Sequence, residues 1–364
     1  MTRRGAMRML AAALLLAGCG DGTTPGGQVD GGADGAAPAS AYYFIAIHNE
    51  PAHDLPDQQQ MLEGSYTVLE EQVAKADVYG IKLTIMLSPP WSDFLLGSEP
   101  RRAAFDSWKA AGHEIAAHHH GVFHGNWDGY SGYPENEALA LRVCQGTQPP
   151  ETYLGTLQDY MAKLHALDPG IRSGCLNEEA SKRELPDAIV YSTCLGYANH
   201  GPVAVDEADG LTPDKGVNEY VSVGTVNGVE RRWLAHYQAS RDTPAAAARW
   251  AALPVDQVYG VIFHSSAGEK DAFMSYVDSL HAKDPTGSRS RTVTQIVEGD
   301  LLPIQTLTDE QANTPLRICE SCQTEGCTTG TVCAPNGRCV PDCRTEAGCP
   351  PQLPTCSQET GLCS

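Results

Sequence analysis

The 364-residue sequence lacks several common signatures of function. No Gly-rich loop follows the first apolar segment, which argues against a phosphate site of the strand–loop–helix kind. The Gly-x-Ser-x-Gly pattern of serine hydrolases with α/β folds is also absent. Basic residues are few, 25 Lys and Arg against 45 Asp and Glu, and the formal charge of −20 argues against nucleic acid as a partner. Beyond the N-terminus, no apolar run is long enough to span a bilayer.

The N-terminus has the features of an export signal. A head with three Arg residues precedes a short apolar run, and Leu16-Ala17-Gly18-Cys19 resembles the cleavage site of bacterial lipoproteins. The resemblance implies removal of residues 1–18 and acylation of Cys19, so we expect the protein to be exported and held in the cell envelope by lipid. Residues 19–41 are Gly, Ala, Asp, Thr and Pro with few large apolar side chains, which predicts a flexible linker.

The cysteines divide the chain into two parts. Nine of the 13 fall after residue 318, and residues 317–364 contain two copies of a four-Cys unit. In an exported protein this pattern predicts two small disulfide-rich repeats, with zinc binding as the alternative. The units resemble short Cys-rich repeats of secreted bacterial proteins. The pairing of the remaining cysteines is left open; these are Cys144, Cys175, Cys194 and Cys319.

The central part, residues 42–305, alternates strand and helix patterns. Strands are predicted at Tyr42–His48, Ile81–Leu87, His113–His118, Ala188–Ser192, Val258–His264 and Thr292–Val297. Helices are predicted at Gln59–Val78, Arg101–Ala111, Pro150–Leu167 and Asp271–Ala282. This order predicts an α/β domain with a parallel core, namely a distorted (β/α) barrel with eight strands or fewer. A doubly wound open sheet is the alternative.

Imidazole and carboxylate groups recur at the predicted strand ends. His118, His120 and His124 follow the third strand, His48 and Glu50 follow the first, and His264 ends a late one. The carboxyl ends of parallel strands meet at one face of a barrel, so these groups are expected to share a site. Histidine is a common ligand for zinc, and two His with one carboxylate form a known open zinc set.

Three segments resemble motifs of the polysaccharide deacetylase family over roughly residues 42–300. Gly112-His-Glu-Ile115 with the histidines after it resembles the metal-binding motif. Val258–His264 resembles the motif that ends in a catalytic His, and Gly170-Ile-Arg172-Ser-Gly is a weaker match to an Arg motif. The resemblance implies a distorted barrel that removes acetyl groups from sugars with a divalent metal, an Asp base and a His acid. Here it implies an acetylated polysaccharide or envelope glycan as substrate, with His264 as acid and Arg172 orienting a carboxylate.

The first motif departs from the family pattern. Where the family has consecutive Asp residues, this chain has His48-Asn49-Glu50-Pro51. Since residues 48 and 50 share one strand face, Glu50 is the predicted carboxylate ligand of a divalent metal, expected to be Zn²⁺, and His48 is a base or an extra ligand. His53 and Asp54 stay open as alternatives. The imidazole ligands are predicted among His118, His120 and His124, the last pair having the family spacing.

Two other function classes remain open. Loss of the family's Asp pair fits a catalytically altered barrel that binds only carbohydrate or metal. A glycoside hydrolase with paired acids is the third class, and its candidate pairs are Glu50 with Asp128 and Glu178 with Glu179.

Overall fold

The structure is a computed structural model and describes residues 40–50, 57–122, 126–142, 152–176, 184–193 and 212–309, with short pieces beyond at 312, 331–333, 339–341, 344 and 356–357. The predicted signal peptide and nearly all of the predicted linker lie outside these residues. In the part of the chain that the structure describes, no helix has the length and apolar character needed to cross a membrane.

The described residues form fifteen strands and eight α-helices. The strands are β1 Tyr42–His48, β2 Leu83–Leu87, β3 Glu114–His119, β4 Tyr130–Ser131, β5 Gly155–Thr156, β6 Ser173–Leu176, β7 Tyr191–Ser192, β8 Val217–Asn218, β9 Val221–Val226, β10 Val229–Trp233, β11 Tyr237–Gln238, β12 Val258–His264, β13 Ile304–Thr306, β14 Thr331–Cys333 and β15 Cys339–Pro341. The helices are α1 Gln58–Val78, α2 Pro89–Leu96, α3 Glu99–Ala110, α4 Glu135–Arg142, α5 Leu157–Leu167, α6 Thr243–Ala251, α7 Lys270–His281 and α8 Val293–Glu298.

The core of the molecule is a run of parallel strands in the order β12, β1, β2, β3, β6 and β7. One extended segment, residues 229–238, links the two ends of this run. Its first part, β10, pairs parallel with β7, and its second part, β11, pairs parallel with β12. The segment therefore closes a distorted barrel with seven strand positions, fewer than the eight of a standard (β/α) barrel.

Burial on both faces explains the central strands. Every residue of β2 is buried, as is every residue of β1 after Tyr42, because the barrel core fills one face and helices cover the other. Helix α1 packs on the outside through Leu69, Val73 and Ala76, three positions on one helical face. Helices α6 and α7 add buried Trp250 and aromatic side chains of the same cluster.

The strand–helix alternation and the mixed α/β class predicted from the sequence are confirmed, and the bounds of β1 and β12 match the prediction. One element is wrong, because Thr292–Val297 is not a strand. Thr292 accepts a hydrogen bond from Gln295 N while the Gln295 side chain accepts one from Thr292 N, and this capping box starts helix α8.

The Cys-rich end of the chain is described only in short pieces. Strands β14 and β15 pair antiparallel there, with Cys333 opposite Cys339. Most of residues 317–364 lie outside the described residues, so the disulfide-rich repeats stay a prediction.

Candidate functional site

The parallel register brings imidazole groups from different strands together at the mouth of the barrel. His48 at the end of β1 lies opposite His264 at the end of β12. Through Met86 on β2, the level of His48 continues to Ala116 on β3, and His118 and His120 follow two and four residues farther along the chain. The rings of His48 and His118 are 4.3 Å apart between centroids, and those of His118 and His120 are 4.6 Å apart.

Glu50 lies at the centre of this group. Its Oε1 is 3.5 Å from His118 Nε2 and 3.3 Å from His264 Nε2, and its Oε2 is 3.7 Å from His120 Nε2. Burial opposes the charge of Glu50, but the neighbouring imidazoles outweigh burial and hold the pKa of its carboxyl well below the usual value. The site therefore contains one ionised carboxylate facing three imidazole nitrogens.

Several polar atoms here lack the hydrogen bonds that burial demands. His118 is almost fully buried, yet neither of its ring nitrogens has a hydrogen-bond partner among the described residues, and neither has Glu50 Oε2. Buried polar atoms without partners are costly, so such a cluster needs an explanation. Glu50, His118 and His120 each place a donor atom within 4.8 Å of the others, a spacing that one metal ion could bridge.

The His120 ring is oriented as a metal ligand would be. Its Nδ1 lies 2.9 Å from the main-chain oxygen of Asn126, so Nδ1 carries the proton and donates it to that oxygen. The tautomer that results has its lone pair on Nε2, the nitrogen on the Glu50 side. Metal-ligating histidines are commonly held by such a bond from the second ring nitrogen. These donors fit a divalent ion with two imidazoles and a carboxylate, a set found for zinc.

A second group of potential ligands consists of His48, His118 and Cys175. Cys175 is disulfide-bonded in the structure, so its sulfur is not a free thiolate. The group with Glu50 is therefore the better metal site.

His48 has a further imidazole neighbour that the sequence did not single out. His236 comes from the segment that closes the barrel, and its ring meets the His48 ring edge-on at 5.5 Å. Burial and the surrounding imidazoles hold the pKa of His48 well below its usual value and lower the pKa of His236 to about 3. Both rings are therefore neutral near pH 7. Only the fold reveals His236, because no recognisable motif precedes it in the sequence.

His264 differs because a carboxylate supports it from behind. Glu269 Oε1 lies 2.8 Å from His264 Nδ1, and Glu269 Oε2 accepts a hydrogen bond from the His264 main-chain N at 2.8 Å. Burial opposes the charge on this ring, but Glu269 and then Glu50 outweigh it and raise the pKa of His264. Gln238 donates to Glu269 Oε1 at 2.9 Å and holds it in place. Glu269 was not among the predicted site residues, although it lies only five residues after His264.

Three predicted or possible site residues lie outside the described residues, namely His124, His53 and Asp54. Asn49 does not face the site, since its side chain donates to the main-chain oxygens of Ile47 and Met86.

Arg172 is not brought to the site. It precedes β6 and so lies toward the opposite end of the barrel from the strand ends that carry the histidines. Its guanidinium pairs with Glu298 and lies over the ring of Tyr191. The expectation that Arg172 orients a catalytic carboxylate is therefore corrected: it makes a structural contact at the other end of the barrel.

His119, between the two candidate ligands, lies on the other face of β3. Its Nδ1 is 2.8 Å from Asp128 Oδ2 and its Nε2 is 3.4 Å from Glu184 Oε2. Burial opposes the charge, but these two carboxylates outweigh it and raise the pKa of His119 to about 10. Asp128 is fully buried in this contact, so the structure does not support its pairing with Glu50 as two glycosidase acids. Glu178 and Glu179 lie outside the described residues.

Comparisons with known proteins give no family assignment. No protein-family model matches the chain, and no curated protein matches it. Among the solved structures that match is a 4-alpha-glucanotransferase from Thermococcus litoralis, with 12% identity and a TM-score of 0.40 over 73% of this chain. This chain spans only 37% of the glucanotransferase. A second, assigned as a polysaccharide deacetylase from Mycobacterium smegmatis, has 11% identity and a TM-score of 0.43 over 74% of this chain and 95% of its own. Both TM-scores are low, so neither likeness indicates a function for this chain.

Proposed function

We propose that this chain is a metal-dependent hydrolase that removes acetyl groups from an envelope or extracellular glycan. One observation carries the proposal: a half-buried, ionised Glu50 surrounded by the Nε2 atoms of three histidines, with polar atoms of Glu50 and His118 lacking partners among the described residues. An arrangement of this kind at the carboxyl ends of barrel strands is typical of a metal-dependent active site.

Glu50, His118 and His120 would hold the metal. A divalent ion in this set, for which we propose Zn²⁺, would acidify water and polarise the acetyl carbonyl. The chain's own residues then have to move two protons, one from the attacking water and one to the leaving group.

His264 is the residue suited to donate a proton. Its raised pKa favours the protonated ring, Glu269 fixes its Nδ1, and its Nε2 is directed toward Glu50 in the site. The Nε2 proton would pass to the leaving amine or alkoxide as the bond to the acetyl carbon breaks.

His48 is suited to accept the water proton. It is neutral, and its Nε2 has no hydrogen-bond partner among the described residues. A neutral imidazole has a lone pair that can take a proton or bind a metal. We assign it the first role, because Glu50, His118 and His120 already form a complete three-ligand set.

The acetylated glycan is the finer part of the proposal. It is supported by the resemblance of Gly112–Ile115, with the histidines after it, and of Val258–His264 to deacetylase motifs.

Export and attachment through lipid on Cys19 are likewise proposed from the N-terminal sequence. Loss of labelled fatty acid in Cys19→Ala would test that attachment.

The proposal is tested by acetate release from a panel of N- and O-acetylated oligosaccharides. We expect turnover by the full-length protein, loss of turnover with a chelator, and recovery on adding Zn²⁺. His118→Gln should abolish turnover, whereas His165→Gln, a control in the last turn of α5, should not. Metal binding without acetate release from any substrate would contradict the hydrolase and favour the glycan- or metal-binding alternative. Turnover that persists in the presence of the chelator would contradict the proposal that the reaction depends on a metal.

A further inference from the structure

The middle residue of the three consecutive histidines is part of a buried network outside the barrel mouth. His119 lies between β3 and α5, with its ring 4.9 Å from that of Tyr160. The carboxylates of Asp128 and Glu184 lie on its two sides, and all three groups are almost fully shielded from solvent. A buried charged group is tolerated only where its partners are fixed, so this network restricts the movement of the main chain to which it is hydrogen-bonded.

Asp128 holds the main chain of His120 from two directions. Its Oδ2 accepts a hydrogen bond from His120 N at 3.2 Å, and its own N donates to His120 O at 3.1 Å. Its Oδ1 accepts from Tyr130 N at 3.1 Å, which fixes the carboxylate itself. The main chain on both sides of the His120 α-carbon is thus tied to one buried residue.

Glu184 holds the segment that follows. Its Oε1 accepts hydrogen bonds from Ser131 Oγ at 2.7 Å and Gly132 N at 3.3 Å, and its Oε2 accepts from Val122 N at 3.4 Å. Glu184 comes from a distant part of the sequence, so it ties the loop after His120 to another part of the fold. An added methyl group at Gly121 would lie 2.8 Å from Glu184 Oε2, which shows how closely the two approach.

We propose that Asp128, His119 and Glu184 form a buried network, here called the brace, that positions the main chain of His120. The His120 ring, which is bonded to Asn126, is thereby held in place for binding the metal. This inference rests on the proposed function, since it assigns the brace to that same metal site. None of the three touches the metal position, so they are positioning residues. The network fixes the His120 main chain and the Asn126 bond fixes its ring, and together they leave Nε2 directed toward Glu50.

The test measures Zn²⁺ affinity of the full-length protein by competition with a chromophoric chelator. Asp128→Asn keeps the shape of the side chain but removes its charge, and we expect affinity to fall about 10–100-fold, the usual effect of losing a residue that supports a metal ligand. The matched control is Glu114→Gln, at the start of β3, the strand that carries His119. Glu114 is also a hydrogen-bonded carboxylate, accepting from Thr84, Ser173 and Thr294.

Affinity and thermal stability separate the two variants. We expect both to lose stability but only Asp128→Asn to lose Zn²⁺ affinity. Equal affinity in Asp128→Asn and wild type would overturn the brace. Absence of Zn²⁺ binding in wild type would instead overturn the proposed function, so the two failures are distinguishable.

A second pair of variants covers the case in which Asp128→Asn does not fold. His119→Asn keeps a donor near the position of Nδ1 for Asp128, whereas His119→Leu has none. The brace predicts that Zn²⁺ affinity in His119→Asn stays closer to wild type than in His119→Leu. Equal affinities in these two variants would contradict it.

Discussion

The pairing of His264 with Glu269 leads to the sharpest prediction about catalysis. The carboxylate makes two contacts of 2.8 Å with His264, one to the ring and one to the main chain. Replacing Glu269 by Gln keeps the side-chain volume but removes the negative charge. The imidazolium then loses its charged partner, while the three proposed metal ligands are untouched.

The size of the effect follows from the one hydrogen bond to the ring. A hydrogen bond between charged groups contributes about 1.5–3 kcal/mol, which corresponds to about a 10–150-fold loss in kcat if it acts in the transition state. The assay is steady-state acetate release with matched measurement of bound metal. Glu71→Gln is the control, because Glu71 is an exposed carboxylate that pairs with Lys270 at the start of α7.

The pH profile gives an independent check on the same variant. Since Glu269 raises the pKa of His264 and the protonated ring is the active form, activity should fall as pH rises through that pKa. Removing Glu269 should shift this alkaline limb to lower pH. A kcat equal to wild type with an unshifted limb would refute the role of His264 as proton donor.

Three further predictions concern stability. Burial lowers the pKa of His113 and outweighs the effect of its contact with Asp77. The unfolded chain therefore binds a proton at this residue more readily than the folded chain, and the stability of the fold decreases as pH drops through about 6.5. His113→Asn should make the melting temperature less sensitive to pH between about 7.5 and 5.5, and an unchanged sensitivity would contradict this. A methyl group at Gly260 would collide with the main chain of Ala235 in the segment that closes the barrel. Gly260→Ala should therefore lower the free energy of unfolding in urea by about 1–3 kcal/mol or more. Gly64→Ala on α1, where the added methyl group would meet open space, should not lower it. Removing metal with a chelator should lower the melting temperature of wild type in proportion to the logarithm of metal affinity, and no change at all would argue that the folded state binds none.

The strand ends could be predicted from the sequence because their signal is local. Continuous apolar runs mark β1 and β12, and in a parallel barrel equivalent positions on neighbouring strands lie side by side. His48, Glu50, His118, His120 and His264 were therefore predicted to meet, and the structure brings them together.

Other features depend on contacts between distant residues. The segment 292–297 is rich in β-branched residues, and its capping box and the bond from Thr294 N to Glu114 outweigh that preference and start a helix. Arg172 matched a motif locally, but the level at which β6 joins the barrel places it away from the site. His236 enters the site only because residues 229–238 close the barrel, which no local pattern indicates.

We propose that one metal ion binds among Glu50, His118 and His120. This is tested by an anomalous difference map, at the zinc absorption edge, from crystals of the protein loaded with Zn²⁺. We expect one strong peak at about 2.0–2.2 Å from a carboxylate oxygen of Glu50 and from a ring nitrogen of each histidine. A map with no peak there, or with its zinc peak elsewhere on the molecule, would show that the ion does not bind among these three residues.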